Sequence, residues 1–277
     1  MARRLIQKVP RTLAFAPPAL VVAAHPDDEA IGAGIWIKRH RHLIVNVLHI
    51  TDGSPHDMAN AKTLGFEFRS AYARARRAEL MEAMALLDVT PERCHHFDLA
   101  DKDAYLHFGE LISRTRALIL KLQPQVVLSP AYEGGHPDHD AAAYAVAMAR
   151  QSGCPFQHLE FPLYHAGANG TMVTIRFLND RQGQGEVLKL SAAEQFFKSR
   201  VLGCFHTQQD FLRHFDLSHE RFRPAPQYDF TRPPHPGDLL YERWQWGISG
   251  CDWRRRASEA AESFAATFRS LDDASDL

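Results

Sequence analysis

Two four-residue segments of the sequence share a combination of a histidine, a proline and acidic side chains. Residues 25–28 read HPDD and residues 136–139 read HPDH, and each segment comes shortly after an apolar run. Adjacent carboxylates repel one another, and burying one is costly unless it is paired or binds a cation. In each segment a second potential metal ligand lies three residues beyond the histidine. The proline between them fixes the backbone where a helix begins, so a rigid corner can direct two ligands toward one point.

Short apolar runs alternate with helical patterns over the first half of the chain. The runs predict strands at 19–24, 43–50, 94–99 and 124–130, and the patterns predict helices at 28–41, 69–88, 105–122 and 138–151. This alternation is typical of an α/β protein with a Rossmann-like, mostly parallel sheet and helices on both faces. Ligands of such sheets bind at the carboxyl ends of strands, where the strand order reverses. The first and fourth strands commonly flank this reversal, so we expect the two segments to face each other.

Facing loops would bring together His25, Asp28 and His139, which are two imidazoles and a carboxylate. This donor set suits a catalytic zinc ion, which keeps its fourth position for water. It also suits ferrous iron or another divalent ion. The alternative is that each segment is a solvated helix N-terminus, where acidic residues are favoured. Two copies at corresponding strand ends favour the metal site.

Three motifs together resemble the LmbE-like, PIG-L-like family of metal-dependent N-acetylglucosaminyl deacetylases. They are AAHPDDEAIGAG at 23–34, RRAE at 76–79 and GGHPDHDAA at 134–142, within a match over roughly 19–150. The resemblance implies a Rossmann-like fold, zinc, and hydrolysis of an N-acetyl group from an amino sugar.

The resemblance also implies a role for each matching residue. His25, Asp28 and His139 would be the metal ligands and Asp27 the general base. His136 would stabilise the oxyanion, with Asp138 orienting it. Some family members have a tyrosine two residues before the histidine that matches His136, where this chain has Gly134. The sequence leaves open whether Tyr132 or Tyr164 replaces it.

Arg76 and Asp52 are the candidate substrate ligands. The resemblance implies that an arginine of the second long helix contacts the substrate, and we choose Arg76 because it shares a helix face with Glu79. The alternative is a solvated arginine that pairs with a carboxylate. Asp52 ends the second predicted strand, where a carboxylate can bind sugar hydroxyls, although a plain turn also explains it.

The pattern changes after residue 155. Residues 156–180 predict two strands around Asn169-Gly170, 191–205 predict a helix, 206–250 a loop, and 252–270 a last helix. We expect one domain over 1–277, with a Rossmann-like core at 19–155 that holds the metal site. Residues 156–277 would be a C-terminal elaboration that forms a substrate lid. Three tryptophans within 241–253 favour core packing over a lid role.

Composition limits the class of protein. The 277 residues carry a formal net charge of −1, which gives no electrostatic footprint for nucleic acid or an anionic membrane. Four separated cysteines indicate reduced thiols, so we expect a cytoplasmic protein. No apolar run reaches the length of a membrane span. The oligomeric state is not indicated.

The sequence therefore predicts a zinc-dependent hydrolase that removes the N-acetyl group of a small amino-sugar conjugate, with water activated by the metal. Two alternatives remain open. One is a metal-dependent amidase for another N-acyl compound, such as a thiol conjugate or a natural product. The other is a metal-stabilised binding module without turnover.

Overall fold

Strands and helices alternate along the first half of the chain, as the sequence predicts. The computed structural model describes residues 18–178 and 185–275, without the side chains of 267–275. The elements of the first half are β1 (Pro18–Ala23), α1 (Asp28–Arg39), β2 (Ile44–Pro55), α2 (Ala59–Thr63), α3 (Arg69–Leu86), β3 (Cys94–Asp101), α4 (Phe108–Leu122), β4 (Val126–Pro130) and α5 (Pro137–Gln151).

The second half mixes short strands and helices. Its elements are β5 (Gln157–Phe161), β6 (Tyr164–Ala166), β7 (Met172–Thr174), β8 (Glu186–Lys189), α6 (Ala192–Gly203), α7 (Gln209–Leu212), β9 (His219–Pro224), α8 (Leu240–Arg243) and α9 (Gly250–Ser275). Strands β6 and β7 form the hairpin predicted around Asn169-Gly170. None of the helices in the described ranges is both long and apolar enough to cross a bilayer.

Seven strands form one mixed sheet in the order β3-β2-β1-β4-β5-β9-β8. Strand β1 pairs in parallel with β2 on one side and with β4 on the other. Strand β5 continues the parallel part, and β9 and β8 are antiparallel to their neighbours. The strand order thus reverses between β1 and β4, which confirms the predicted α/β architecture and places both histidine segments at the reversal.

The sheet is buried on both faces, which explains the continuous apolar runs of its central strands. In β1, Val21 packs on one face in the same cluster as residues of α1, α3 and α6. Its neighbours Leu20 and Val22 pack on the other face with residues of α4, α5 and α9. Successive strand side chains point to opposite faces, so an all-apolar strand requires helices on both sides.

The prediction of a loop over 206–250 is wrong. This stretch contains α7, β9 and α8, and β9 joins the main sheet between β5 and β8. The strand was missed because its inward position 220 is a glutamate in a charged stretch. Glu220 is fully buried and accepts hydrogen bonds from Lys198 Nζ (2.8 Å) and from the Ile35 and Trp36 backbones (2.7 and 2.8 Å). These bonds fasten α6 and β9 to α1.

Candidate active site

The two histidine segments converge at the carboxyl edge of the sheet. One follows β1 and leads into α1, and the other follows β4 and begins α5, with His136 as its N-cap and Pro137 at its first turn. The ring centroids of His25, His136 and His139 lie 4.3 to 5.2 Å apart. The structure thus brings together the histidines that the sequence singles out.

The three predicted metal ligands are buried and adjacent. Asp28 Oδ2 lies 3.4 Å from His25 Nδ1, and Asp28 Oδ1 lies 3.2 Å from His139 Nε2. Backbone N–H groups of Ala24 and His25 donate to Oδ2 (3.0 and 2.8 Å), which leaves Oδ1 facing His139. Burial alone would raise the pKa of Asp28, but His139 and His25 hold it well below its usual range. Two imidazoles and an ionised carboxylate with converging donor atoms fit a divalent cation.

A second group of potential ligands shares His25. His25 Nε2 lies 3.2 Å from Asp101 Oδ1 and 3.3 Å from Asp138 Oδ2, and His136 Nε2 lies 3.3 Å from the same Asp101 oxygen. A metal-bound histidine commonly donates its other ring N–H to a carboxylate. With a cation on the Nδ1 side of His25, Asp101 and Asp138 would therefore orient this ring rather than bind the ion.

Asp101 is a site residue that the sequence interpretation missed. It is the last residue of β3, two positions beyond the predicted strand, at the same edge of the sheet as the histidine segments. Burial would raise the pKa of Asp101, yet His25 and His136 hold it well below its usual range. The available signal was an acidic residue at the end of a parallel strand, a position that faces the ligand crevice.

Asp27 belongs to neither group of potential ligands and is held by Arg76 instead. Arg76 Nη2 donates to Asp27 Oδ2 (3.0 Å) and to the Pro26 carbonyl (2.9 Å), and Nη1 donates to the Gly53 carbonyl (2.5 Å). Burial raises the pKa of Asp27 to about 8, against the opposing charge of Arg76. Arg76 is itself buried and lines the same cavity, so it anchors Asp27; its contact with substrate stays a prediction.

The backbone of Asp27 is also constrained. Its φ of 141° is uncommon for a residue with a side chain, and such conformations persist only where the surroundings impose them. The Asp27 N–H donates to Glu29 Oε2 (3.2 Å), which also bonds His49 Nε2 (2.9 Å). Glu29 and His49 are fully buried. This pair and Arg76 fix Asp27 from two sides.

His136 is oriented mainly through the backbone. The Asp138 N–H donates to His136 Nδ1 (3.1 Å), whereas the Asp138 carboxylate lies 3.9 Å from that nitrogen. That carboxylate accepts instead from the Lys102 and Ala104 N–H groups (2.6 and 3.2 Å). An accepting Nδ1 places the ring hydrogen on Nε2. Burial, helped by the nearby His25, lowers the pKa of His136 to about 4, so the ring is a neutral donor at pH 7.

Asp52 does not line the cavity that contains these residues. Its Oδ2 accepts two hydrogen bonds from Arg69 (2.7 and 2.9 Å), and its Oδ1 accepts from the Ser54 N–H (2.8 Å). The hydrogen bond from the Ser54 N–H is typical of a plain turn, which is the alternative explanation of Asp52. Binding of substrate by Asp52 stays a prediction.

The cavity measures about 640 Å³ and is closed on one side by aromatic residues of the second half of the chain. Trp244, Trp246 and Tyr164 line it, and Trp246 also packs against a small hydrophobic cluster, whereas Trp253 is buried in the main core. The favoured core packing therefore describes Trp253, while Trp244 and Trp246 face the cavity. Tyr132 also lies in the core, where its hydroxyl donates to the Arg232 carbonyl (2.9 Å).

The loop before α5 packs closely on β6. A Cβ atom at Gly135 would lie 1.8 Å from the carbonyl oxygen of Tyr164, so only glycine permits this approach of two backbones. The contact joins the loop that carries His136 to the strand that carries Tyr164.

Fold and site together define a class: a Rossmann-like α/β protein with a candidate divalent-metal site where the strand order reverses. A family model described as PIG-L, GlcNAc-PI de-N-acetylase, matches residues 20–150. The matched residues are those in which the sequence resembles this family, so the match confirms the resemblance found in the sequence.

A relative found by sequence comparison agrees with this family. A 1D-myo-inositol 2-acetamido-2-deoxy-alpha-D-glucopyranoside deacetylase from Catenulispora acidiphila is 33% identical over 154 residues, which are 47% of this chain and 49% of the relative. The chain thus spans about half the length of that relative.

Solved structures share the fold at low identity. A deacetylase in complex with teicoplanin is 16% identical with a TM-score of 0.60, covering 76% of this chain and 100% of that one. A 4-carboxy-2-hydroxymuconate hydratase from Pseudomonas putida is 19% identical with a TM-score of 0.52, covering 77% and 98%. Two different reactions on one fold mean that the fold alone does not define the chemistry.

Proposed function

We propose that this chain is a metal-dependent de-N-acetylase that hydrolyses the acetamido group of an N-acetylglucosamine-type conjugate. One observation carries the proposal: a buried set of two imidazoles and a carboxylate lies in the same cavity as an anchored Asp27 and a neutral His136. The match to the PIG-L family model and the name of the Catenulispora relative support the choice of an acetylated amino sugar.

His25, Asp28 and His139 would hold the ion, which we propose to be zinc. A bound divalent ion supplies Lewis-acid chemistry at the acetamide and makes water more acidic. Asp101 and Asp138 would keep the His25 ring in place, because their carboxylate oxygens face its Nε2.

Asp27 would act as the general base and then as an acid. Its Oδ2 is engaged by Arg76, and Oδ1 has no hydrogen-bond partner among the described residues, so Oδ1 is free to take a proton from the attacking water. The same proton passes to the departing nitrogen as the amide bond breaks, giving acetate and a free amine. A raised pKa suits this exchange near neutral pH.

His136 would stabilise the negative charge that develops on the acetamide oxygen. Its Nε2–H faces Asp101 at 3.3 Å, inside the cavity, and the N-cap bond to Nδ1 prevents the ring from presenting its other nitrogen. A fixed neutral donor of this kind acts without reorganisation during the reaction.

The test is metal analysis together with acetate release. The purified chain should carry about one divalent ion, as a three-residue catalytic site requires, and release acetate from methyl 2-acetamido-2-deoxy-glucoside. A chelator should abolish release, and zinc should restore it better than ferrous iron. Acetate from N-acetyl thiol conjugates and not from the sugar would make the chain another amidase. A stoichiometric ion with no acetate from either class would refute the proposal.

A further inference from the structure

The cavity extends well beyond the residues that would perform the chemistry. Its volume of about 640 Å³ lies within the range of sites for drug-sized ligands. Resting on the proposed function, we propose that its outer part binds an uncharged apolar group, aromatic or alkyl, attached to the amino sugar. The occupant is thus the apolar aglycone of the substrate.

The first wall of this outer part is a continuous row of aromatic rings that starts at the histidines. Tyr164 contacts His139 (centroids 5.1 Å apart), and Trp246 contacts His136 (4.9 Å). Trp244 links the two, at 6.0 Å from Tyr164 and 5.1 Å from Trp246. A sugar whose acetamide lies at the histidines would therefore have this row, which we call the aromatic wall, directly beside it.

On the opposite side of the cavity, several polar side chains are paired with one another beside an exposed leucine. The Tyr72 hydroxyl accepts hydrogen bonds from the side-chain amides of Gln208 (2.6 Å) and Asn60 (3.3 Å), and all three residues line the cavity. Leu64 lies beside them with 45% of its surface exposed, and Trp244 on the aromatic wall is 38% exposed. Exposed apolar side chains that line one cavity mark a ligand site rather than a core.

The charges along the cavity disfavour an anionic aglycone. Among the lining residues described, the lysine and arginine side chains are those of Lys102 and Arg76, and both are engaged. Lys102 Nζ pairs with Asp57 (2.9 Å) and lies 4.7 Å from the centre of the Trp246 ring. Arg76 is held by Asp27. A phosphate or carboxylate on the sugar would thus find no unpaired lysine or arginine here.

Matched substrates test this inference. The 2-acetamido-2-deoxy-glucosides with methyl, phenyl and octyl aglycones, and the 1-phosphate, differ only in the group that would enter the outer cavity. We expect kcat/KM for the phenyl and octyl glycosides to exceed that for the methyl glycoside by about tenfold or more, since they bury additional apolar surface. The 1-phosphate should be the poorest substrate.

Substitutions locate the effect. Trp244→Ala and Leu64→Ser should each reduce the octyl-to-methyl ratio by about threefold or more. Phe196→Ala is the matched control, because Phe196 is an exposed aromatic residue (69%) that does not line the cavity. It should leave the ratio unchanged. Equal rates for all aglycones, or a preference for the 1-phosphate, would overturn the inference.

A binding measurement separates this inference from the proposed function. Octyl 2-amino-2-deoxy-glucoside, which carries no acetyl group, should bind the purified protein with a lower Kd than its methyl counterpart, measured by isothermal titration calorimetry, and Trp244→Ala should remove the difference. If no glycoside releases acetate but this difference is found, the deacetylase proposal fails and the apolar subsite stands. Equal binding of the two amines means that the subsite is absent, whatever the activity.

Discussion

The cavity has a polar end, where the histidines and carboxylates lie, and an aromatic end at the aromatic wall. The two ends differ in the kind of side chain that forms them and in how firmly those side chains are held. At the polar end, the side chains lie at or just beyond the carboxyl ends of parallel strands of the first half of the chain, and backbone N–H groups hold carboxylates such as those of Asp28 and Asp138. At the aromatic end, Tyr164, Trp244 and Trp246 come from the second half of the chain and Leu64 from the first, and Trp244 and Leu64 are partly exposed. Chemistry needs fixed geometry, whereas an apolar aglycone needs only surface of the right shape and polarity.

The largest effect is expected from removing a candidate metal ligand at the polar end. His139→Ala should lose most of the bound ion, and acetate release should fall by about 10⁴-fold or more, because the ion supplies several kcal/mol of transition-state stabilisation. The measurements are elemental analysis and single-turnover acetate release. His95→Ala is the control, because His95 lies outside the cavity. Full metal occupancy in His139→Ala would exclude His139 as a ligand.

Substitutions of two neighbouring acids should separate proton transfer from metal binding at the polar end. Asp27→Asn keeps shape but cannot accept a proton, so we expect near-normal metal content and a loss of acetate release of about 10²–10⁴-fold. Asp28→Asn should lose metal affinity, with activity partly restored by added zinc. Metal content and acetate release are measured for both variants side by side. Loss of metal in Asp27→Asn with metal retained in Asp28→Asn would mean that the two roles are exchanged.

Arg76 tests whether the polar end binds substrate or only holds its own residues. Because its guanidinium makes three hydrogen bonds to protein groups, we expect Arg76→Ala to lower kcat by about ten- to a hundredfold, with metal content retained. The neighbour Arg77 pairs with Asp98 at the surface, so Arg77→Ala is the matched control. A rise in KM with kcat unchanged would instead assign Arg76 to the substrate, as the sequence interpretation has it.

The smallest effect on catalysis should come from a buried ion pair of the second half, whose two side chains also bond to the backbone of α1. Lys198 and Glu220 are buried, and Lys198→Met leaves the Glu220 carboxylate without its cation. We expect a decrease in the free energy of unfolding of about 3–5 kcal/mol, measured by urea denaturation, with metal binding unchanged. Lys38→Met, which removes a surface pair with Asp88, should cost less than about 1 kcal/mol. Loss of metal in folded Lys198→Met would show that the halves are not separable.

The same contrast explains what the sequence could predict. Core helices follow from apolar spacing, as at Leu80, Met84 and Leu87, which all enter one cluster. Each histidine segment is a continuous stretch of four residues that follows a predicted strand. The sequence alone therefore indicates the candidate metal ligands and the edge of the sheet at which they lie. Both signals are short-range, and they suffice for the polar end of the cavity.

Residues that act through distant partners could not be found in this way. Asp101 is recognisable only once β3 is known to end beside His25 and His136. The support of Asp27 by Glu29 and His49 crosses between α1 and β2, and His49 occupies what reads as an ordinary strand position. Strand β9 was hidden because a buried Glu220 reads as a surface residue. The aromatic wall depends on loops whose path no periodicity indicates.

The contact between Gly135 and the carbonyl of Tyr164 has a consequence for how such a protein can change its range of substrates. The loop with His136 and the strand with Tyr164 share a backbone contact that a single methyl group would disrupt, so a substitution at residue 135 would disturb reactivity and selectivity together. The Trp244 side chain packs near the Tyr164 ring, but neither Trp244 nor Leu64 is among the atoms nearest Gly135. We therefore expect exchange of these two side chains to change substrate preference, whereas the loop before α5 and β6 would have to change together.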